Sequence, residues 1–161
     1  MTIKVGEEIP SITLRIMGAD GPKDITTDEI FRGGKVAVFG LPGAFTPVCS
    51  AKHLPGFVNN AEALRKRGID RVACVSVNDA YVMDAWGKAL NVGDKVMMVA
   101  DGNAAFTKAV GLEEDKTVAH MGLRSQRYAM IVEGGVVKLL NIEKPKEFCV
   151  SSAEALLEAT G

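Results

Sequence analysis

The sequence predicts an α/β fold in which a central mixed β-sheet is flanked by helices. Three short apolar runs carry this prediction, because they are rich in β-branched residues and hardly alternate with polar ones. Such runs are typical of strands that are buried on both faces of a sheet. Helical patterns lie between them, and this alternation is typical of α/β sheets. The runs cover residues 35–41, 71–77 and 95–100.

Two further runs predict a hairpin. Residues 128–132 and 136–142 are mainly apolar and are joined across Gly134-Gly135, a dipeptide suited to a tight turn. Because a hairpin is antiparallel, the predicted sheet has mixed edges.

Four helices are predicted from apolar residues at three- and four-residue spacing. The first ends at three cations and Gly68, and Pro55 is expected to kink it. The second follows residues 78–79 as a cap, the third ends at Gly111, and the last begins with a capping box at residues 151–154. The apolar positions are Leu54, Phe57, Val58, Ala61 and Leu64; Val82, Met83, Trp86 and Leu90; Ala105, Phe106, Ala109 and Val110; and Ala155, Leu156 and Leu157.

Length and composition predict one domain spanning residues 1–161. A chain of 161 residues suits a single core, and 47% hydrophobic residues exclude a disordered chain. The 19 basic and 20 acidic residues give a net charge of -1, which disfavours a nucleic-acid partner. The longest apolar run, residues 36–45, is interrupted by Pro42 and is shorter than the about 18–20 residues of a transmembrane helix.

Cysteine usage and the N-terminus predict a cytoplasmic location away from membranes. The chain has three cysteines, Cys49, Cys74 and Cys149, an odd number that does not make a disulfide framework. Free thiols suit a reducing compartment. Charged residues stand in the N-terminal segment where an export signal needs its apolar stretch.

The residues after the first predicted strand place a cysteine at the start of a helix. Thr46 is a favoured N-cap residue and Pro47 suits the first helical position, so Cys49 falls at the third. The unpaired N–H groups and the helix dipole favour a thiolate there, which is the nucleophilic form of cysteine. The pattern alone also fits a buried, inert cysteine that packs as a small hydrophobic residue.

This stretch resembles the active-site signature of the peroxiredoxin family. Pro42, Thr46 and Cys49 reproduce its P-x-x-x-T-x-x-C spacing. Residues 42–50, continued by His-Leu-Pro-Gly-Phe at residues 53–57, are similar to the peroxiredoxin-5, or type II, subfamily. The resemblance extends from residue 4 to the end of the chain, with further similar segments at residues 75–79, 85–87, 100–102 and 122–128.

The resemblance implies a thioredoxin-like fold and a thiol peroxidase that uses no metal, haem or flavin. Its substrates would be hydrogen peroxide and organic hydroperoxides. Cys49 would be the peroxidatic cysteine, which is oxidised to a sulfenic acid, and Thr46 the threonine that hydrogen-bonds thiolate and peroxide. Pro42 would shield the pocket from water, and Arg127 would be the distant arginine that closes the site.

Three basic side chains leave alternatives open. Arg127 lies 78 positions after Cys49 (127 minus 49), and its pattern alone fits a surface cation at the start of a strand. Arg124 competes for the same role, and the Arg-aromatic-Ala-Met context of the family favours Arg127. His53 lies one helical turn after Cys49 and is expected to pack or form hydrogen bonds rather than act as a base.

The two remaining cysteines are possible resolving thiols. Cys74 lies within a predicted strand, which suggests a buried small hydrophobic residue, although plant type II members carry a cysteine in this context. Cys149 lies in a predicted loop, one residue before the position of the animal-type resolving cysteine. Since neither has a secure route to Cys49, we expect glutathione with glutaredoxin, or thioredoxin, to supply the electrons. The resemblance also implies a homodimer.

Two other functions compete with peroxide reduction. A thiol–disulfide oxidoreductase on the same fold is disfavoured, because Thr46 stands three residues before Cys49 and cannot close a disulfide. A redox sensor or chaperone-like binder would instead use oxidation of Cys49 to change its assembly state. The speed of the reaction with peroxide separates a peroxidase from a disulfide carrier.

Overall fold

The computed structural model describes residues 1–160, and it contains a seven-stranded mixed sheet with helices on both faces. The strands are β1 (Thr13–Gly18), β2 (Gly21–Thr26), β3 (Lys35–Leu41), β4 (Arg71–Ser76), β5 (Met97–Ala100), β6 (Glu113–Lys116), β7 (Gly122–Ser125), β8 (Tyr128–Glu133) and β9 (Val136–Ile142). The α-helices are α1 (Thr27–Phe31), α2 (Leu54–Asn59), α3 (Ala61–Lys66), α4 (Ala80–Ala89), α5 (Ala105–Ala109) and α6 (Ala153–Thr160). A π-helix covers Cys49–His53, and a 3-10 turn covers Thr117–Ala119.

The predicted α/β class is confirmed by the order and direction of the strands. The sheet runs β2-β1-β5-β4-β3-β8-β9, and β6 pairs with β7 in a separate two-stranded sheet. The three buried runs form β3, β4 and β5, which are parallel neighbours. The predicted hairpin is β8–β9, whose first strand also pairs antiparallel with β3.

Two apolar clusters fill the two faces of the sheet. The face that carries the Cys49 segment packs against α2, α3, α4 and α6, and its largest buried side chain is Trp86. The opposite face packs against α1 and α5, with Phe31 stacked on Phe106 at 6.3 Å between ring centroids. Since β3, β4 and β8 are buried on both faces, their runs lack polar alternation.

Gly40 allows β3 and β8 to pair closely where the functional residues begin. It is the register partner of Tyr128, and a Cβ atom at position 40 would lie 2.1 Å from the Tyr128 ring. The ring is fully buried and cannot swing away at low cost. A side chain at this position would therefore push the two strands apart.

Several elements were not predicted from the sequence. The N-terminal hairpin β1–β2 is one of them. Exposed and buried residues alternate only at the start of β1, and Ile16 and Met17 are both half-buried, so the sequence lacks a clear strand pattern. The short elements α1, β6 and β7 were missed as well. The first predicted helix is divided at Asn60, whose side-chain Nδ2 donates to the Gly56 carbonyl at 2.8 Å and competes with the helical backbone.

Two predicted helix starts, those of α4 and α6, have the expected capping chemistry, and the second is shifted by one residue. Asp79 caps α4 by accepting from the Val82 N–H at 2.9 Å. The cap of α6 is Ser152, which accepts from the Ala155 N–H at 3.1 Å, and not Ser151 as predicted. No helix within residues 1–160 has both the length and the apolar character needed to cross a membrane.

Candidate active site

Cys49 lies in the first turn of the helical segment after β3, and its side chain is fully buried. Residues 47 and 48 are already helical, and the Ser50 N–H donates to the Thr46 carbonyl at 2.9 Å. Cys49 therefore occupies the third helical position, as predicted. Partial positive charge on the backbone N–H groups of a first turn stabilises a thiolate at this position.

The turn that follows Cys49 is a π-helix and not a kinked α-helix. The Leu54 N–H donates to the Cys49 carbonyl, five residues earlier. Pro55, the next residue, has no N–H and cannot continue the α-helical ladder. The missing donor at Pro55 is thus accommodated by one wide turn, after which α2 begins.

The Thr46 side chain does not cap the helix in the predicted way. Its hydroxyl donates to the Gly43 carbonyl at 2.7 Å, so its hydrogen is directed back into the loop. The oxygen retains its lone pairs and can still accept a hydrogen bond. Thr46 thereby closes the turn between β3 and the Cys49 segment.

Arg127 is the residue just before β8, and its side chain approaches the Cys49 sulfur. Its Nη2 donates to Cys49 Sγ at 3.2 Å, although 78 positions separate the two residues. The sheet brings them together, because β3, which leads into the Cys49 segment, pairs directly with β8. Arg127 is half-buried, in contrast to the exposed cation that its sequence pattern alone would fit.

Arg124, which competed with Arg127, makes a different contact. Its Nη1 donates to the Pro42 carbonyl at 3.3 Å and its Nε to the Met121 carbonyl at 2.9 Å. Pro42 is half-buried in the loop that begins directly after β3. Arg124 therefore fixes the loop, and Arg127 is the arginine that hydrogen-bonds the sulfur.

His53 is a buried, neutral partner of Arg127. Its Nδ1 lies 3.0 Å from Arg127 Nη1, and its Nε2 lies 2.9 Å from the Ser151 carbonyl. Burial, and then the positive charge of Arg127, lower the pKa of His53 to about 3, although the Ser151 carbonyl opposes this. Since carbonyls only accept and guanidinium groups only donate, the proton sits on Nε2 and Nδ1 accepts from Arg127.

His53 is expected to make the free energy of unfolding fall as the pH falls. Between its ordinary pKa of 6.5 and its folded-state pKa of about 3, the unfolded chain binds a proton that the folded chain excludes. The slope of this contribution is roughly 1.4 kcal/mol per pH unit. Urea denaturation between pH 7.5 and 5.0 measures it, and His53→Gln should lose it. The exposed His120 is the matched control: an equal loss of slope in His120→Gln would contradict the assignment.

Two residues that anchor the active-site segment were not predicted in this role. Asn78 Oδ1 accepts from the Ala44 N–H at 3.0 Å and from the Ser76 hydroxyl at 2.6 Å. Trp86 Nε1 donates to the Ser50 hydroxyl at 2.9 Å. A signal for Asn78 existed, because it follows a strand parallel to β3, and the carboxyl ends of parallel strands meet at one edge.

Phe148 and Glu143 are further neighbours that sequence reasoning missed. The Phe148 ring lies 5.0 Å from the His53 ring, and the Arg127 guanidinium carbon lies 5.9 Å from its centroid. A guanidinium over a ring face at this distance gains cation–π stabilisation. Glu143 lies at the base of the same C-terminal segment and is buried. In the sequence, Glu143 stands beside Lys144 and has the pattern of a surface charge.

The other two cysteines lie in contrasting surroundings, and all three thiols are free. Cys74 is fully buried in β4 opposite Phe39. Burial, and secondarily the nearby Cys49, raise the pKa of Cys74, which keeps it a protonated thiol. Cys149 is exposed and follows Phe148.

The site offers thiol chemistry and no group of metal ligands. Within residues 1–160, no set of three or more His, Cys, Asp or Glu side chains could hold a metal ion. A permanent cation beside a sulfur in the first turn of a helix favours the thiolate. The remaining N–H groups of a guanidinium can also donate to a bound oxygen on which negative charge develops. The geometry therefore suits attack of sulfur on a small electrophile.

Comparison with known proteins gives matches over nearly the whole chain. The Redoxin family model matches residues 4–157. Peroxiredoxin-2E-2, chloroplastic, from rice is 49% identical, covering 98% of this chain and 72% of its own length. Peroxiredoxin-2E, chloroplastic, from Arabidopsis thaliana is 47% identical, covering 98% and 69%.

A solved structure is similar in fold as well as in sequence. Reduced Prx3 from Vibrio vulnificus in complex with hydrogen peroxide has a TM-score of 0.96 and 49% identity, covering 99% of this chain and 100% of its own. This similarity confirms the predicted thioredoxin-like fold with a central mixed sheet.

The prediction of a cytoplasmic location is contradicted by the comparison. Both plant relatives, at 49% and 47% identity, are chloroplastic proteins. The prediction rested on cysteine usage and on the first residues of the chain, and a reducing compartment is not unique to the cytosol.

Proposed function

We propose that Cys49 is the peroxidatic cysteine of this chain. The chain belongs to the peroxiredoxins, in the type II or peroxiredoxin-5-like group, and is a thiol peroxidase. One observation carries this assignment: Arg127 Nη2 donates to the sulfur of a fully buried cysteine in a helix first turn. Within residues 1–160 no such donor reaches Cys74, whose pKa is raised by burial, and Cys149 is exposed.

The proposed reaction is a two-electron oxidation of sulfur. A lone pair of the Cys49 thiolate attacks one peroxide oxygen, an S–O bond forms, and the O–O bond breaks. The departing oxygen leaves with the bonding pair and takes a proton to become water or an alcohol. Sulfur is left as a sulfenic acid, the first level of thiol oxidation.

Arg127 would act on the moving charge, and Thr46 would orient the peroxide. Negative charge leaves sulfur and accumulates on the departing oxygen, so donors that are fixed beforehand lower the barrier most. We assign Arg127 to this role, because its guanidinium is held by His53 and cannot lose its charge. The Thr46 hydroxyl, whose hydrogen goes to Gly43, would accept from the peroxide O–H. Pro42, in the loop after β3, would shield the pocket around Cys49 from water.

Stopped-flow oxidation of the reduced chain tests this function. A peroxidase should react with hydrogen peroxide orders of magnitude faster than a free thiol. A rate equal to that of a free cysteine would overturn the assignment of Cys49. Comparison of hydrogen peroxide with an organic hydroperoxide in the same experiment gives the substrate preference.

Thr46→Val is expected to lower both the peroxide rate and the free energy of unfolding. The valine is isosteric but removes the bond to the Gly43 carbonyl, a loss of about 1 kcal/mol. It also removes the acceptor for the peroxide O–H. Stopped-flow kinetics and urea denaturation measure the two effects, with Thr46→Ser as the control that keeps the hydroxyl. A valine variant with unchanged kinetics would exclude Thr46 from the reaction.

We propose that an external thiol reduces the sulfenic acid, supplied by glutathione with glutaredoxin or by thioredoxin. Full burial of Cys74 between helices and sheet supports this proposal, because its sulfur is fixed in β4. The exposure of Cys149, set against the full burial of Cys49, supports it as well. The incoming thiolate would attack sulfur, release water and leave a mixed disulfide, which a second thiol then resolves.

Intact mass after one equivalent of peroxide is expected to show a sulfenic acid, trapped by a sulfenic-specific reagent, and no internal disulfide. Cys74→Ser and Cys149→Ser should both keep turnover with an external thiol. Quantitative formation of a Cys49–Cys74 or Cys49–Cys149 disulfide, lost together with turnover in the matching variant, would identify a resolving cysteine.

We also propose a homodimer that leaves the Cys49 segment open to its reductant. Phe45 and Val118 are apolar side chains that are 56% and 98% exposed, and we take them as candidate contacts of this dimer.

A further inference from the structure

We propose that Glu143 is a positioning residue, which orients Arg127 toward the Cys49 sulfur by way of Ser151 and His53. The proposal rests on the function assigned to Cys49 and Arg127 above. It concerns a buried acid that no step of the peroxide reaction uses. A continuous series of hydrogen bonds connects this acid to the reacting atom.

Glu143 gathers the segment after β9 around a single oxygen. Its Oε2 accepts from the Cys149 N–H at 2.6 Å, from the Ser151 N–H at 2.9 Å and from the Ser151 hydroxyl at 2.7 Å. The side chain is 7% exposed. Burying an acid is costly unless donors satisfy it, and these three donors all come from residues 149–151.

The absence of a cation around Glu143 points to a positioning role. No salt bridge involves Glu143 within residues 1–160. Arg127 is close in the chain fold, since the Glu143 N–H donates to the Arg127 carbonyl at 2.9 Å, yet its guanidinium bonds His53 and Cys49 instead. The acid therefore fixes backbone and hydroxyl donors and does not neutralise a charge.

Ser151 transmits this order to His53. Glu143 accepts hydrogen bonds from both the N–H and the hydroxyl of Ser151. These two bonds fix the position of the Ser151 carbonyl. That carbonyl accepts from His53 Nε2 at 2.9 Å. Since the proton is thereby kept on Nε2, His53 Nδ1 is left as an acceptor.

His53 in turn selects the orientation of Arg127. Its Nδ1 accepts from Nη1 at 3.0 Å, and the other terminal nitrogen, Nη2, then reaches the sulfur at 3.2 Å. Phe148, in the segment that Glu143 gathers, lies against the same guanidinium. Without the acid, the segment would release both the acceptor of His53 and the ring beside Arg127.

The test compares Glu143→Gln with Glu147→Gln, an exposed acid of the same segment. Glutamine keeps the shape but offers a neutral and weaker acceptor to three donors. We expect the second-order rate constant for peroxide to fall about tenfold in Glu143→Gln and to stay at the wild-type value in Glu147→Gln. The thiolate titration of Cys49, followed at 240 nm, should move to higher pH in Glu143→Gln alone.

A second readout does not depend on activity. Nitrogen-15 NMR of the imidazole rings should show His53 protonated on Nε2 in the wild type and a mixture of tautomers in Glu143→Gln. The exposed His120 supplies the reference signals. A Glu143→Gln variant with the wild-type tautomer, thiolate titration and rate would overturn the proposal.

A milder variant keeps the proposal testable if Glu143→Gln does not fold. Ser151→Ala removes one of the three donors and retains the carbonyl that His53 uses. It should shift the tautomer ratio and the thiolate titration in the same direction by a smaller amount, and unchanged values would overturn the proposal. A slow wild-type reaction with peroxide would instead overturn the proposed function, while the tautomer comparison would still test Glu143.

Discussion

Replacing Cys49 with serine is expected to abolish peroxide turnover while leaving the fold intact. Serine nearly matches the size of cysteine, and its oxygen can still accept from Arg127 Nη2 at the position that sulfur occupies. A hydroxyl does not ionise near neutral pH, even in the first turn of a helix. The neutral serine oxygen is therefore a much weaker nucleophile than a cysteine thiolate. The measurement is peroxide consumed per chain in a single turnover, together with the circular dichroism spectrum of each variant.

Cys74→Ser provides the matched control for this experiment. Cys74 is also fully buried, so its substitution places a hydroxyl in a comparable interior. Its single-turnover consumption should equal that of the wild type, because the first oxidation needs only the attacking sulfur. Retention of a tenth of the activity in Cys49→Ser would show that another residue is the nucleophile.

Arg127→Met is expected to slow the reaction with peroxide by about 10²–10³-fold. Methionine preserves much of the packing against Phe148 but removes the permanent charge and the donor to Cys49 Sγ. The thiolate is then less favoured, and the departing oxygen has no cation to receive its charge. Stopped-flow oxidation across a range of pH values separates the two losses, because only the first is recovered at high pH.

Arg124→Met is the comparison variant for this prediction. Arg124 has the same charge and half-burial, but it donates to the carbonyls of Pro42 and Met121. Its loss should loosen the loop and slow the reaction less than the loss of Arg127. If Arg124→Met were the slower variant, the cation of the reaction would have to be reassigned.

The sequence predicted well the features that are encoded locally. The helix start before Cys49 follows from Pro47, whose preference for the first helical position is intrinsic to the residue, although the Thr46 side chain bonds Gly43 and does not cap the helix as expected. The core strands follow from burial on both faces, which removes polar residues from a run. The π-helix was not predicted, although Pro55 was visible, because a missing donor allows either a kink or a wide turn and packing selects between them.

The long-range parts of the site could not be derived from local patterns. The contact of Arg127 with Cys49 depends on which strands pair, and no spacing rule connects residues 78 positions apart. Only the resemblance to a known family favoured Arg127 over Arg124. Glu143 was missed for a related reason: a charge after a strand has the same pattern whether it faces solvent or a returning loop.

The pairing of β3 with β8 also determines when in folding the site becomes reactive. Its register partners Gly40 and Tyr128 are 88 positions apart (128 minus 40), and closing so long a loop is compensated only when many contacts form together. A partly folded chain that contains β3, β4 and their helices would therefore hold Cys49 without Arg127. Its thiol would lack the donor and the permanent charge of Arg127 until the last strands join the sheet. With Cys49 as the proposed peroxidatic cysteine, rapid reaction with peroxide thus requires the completed topology, and we expect chains that lack the β3–β8 pair to react more slowly at Cys49.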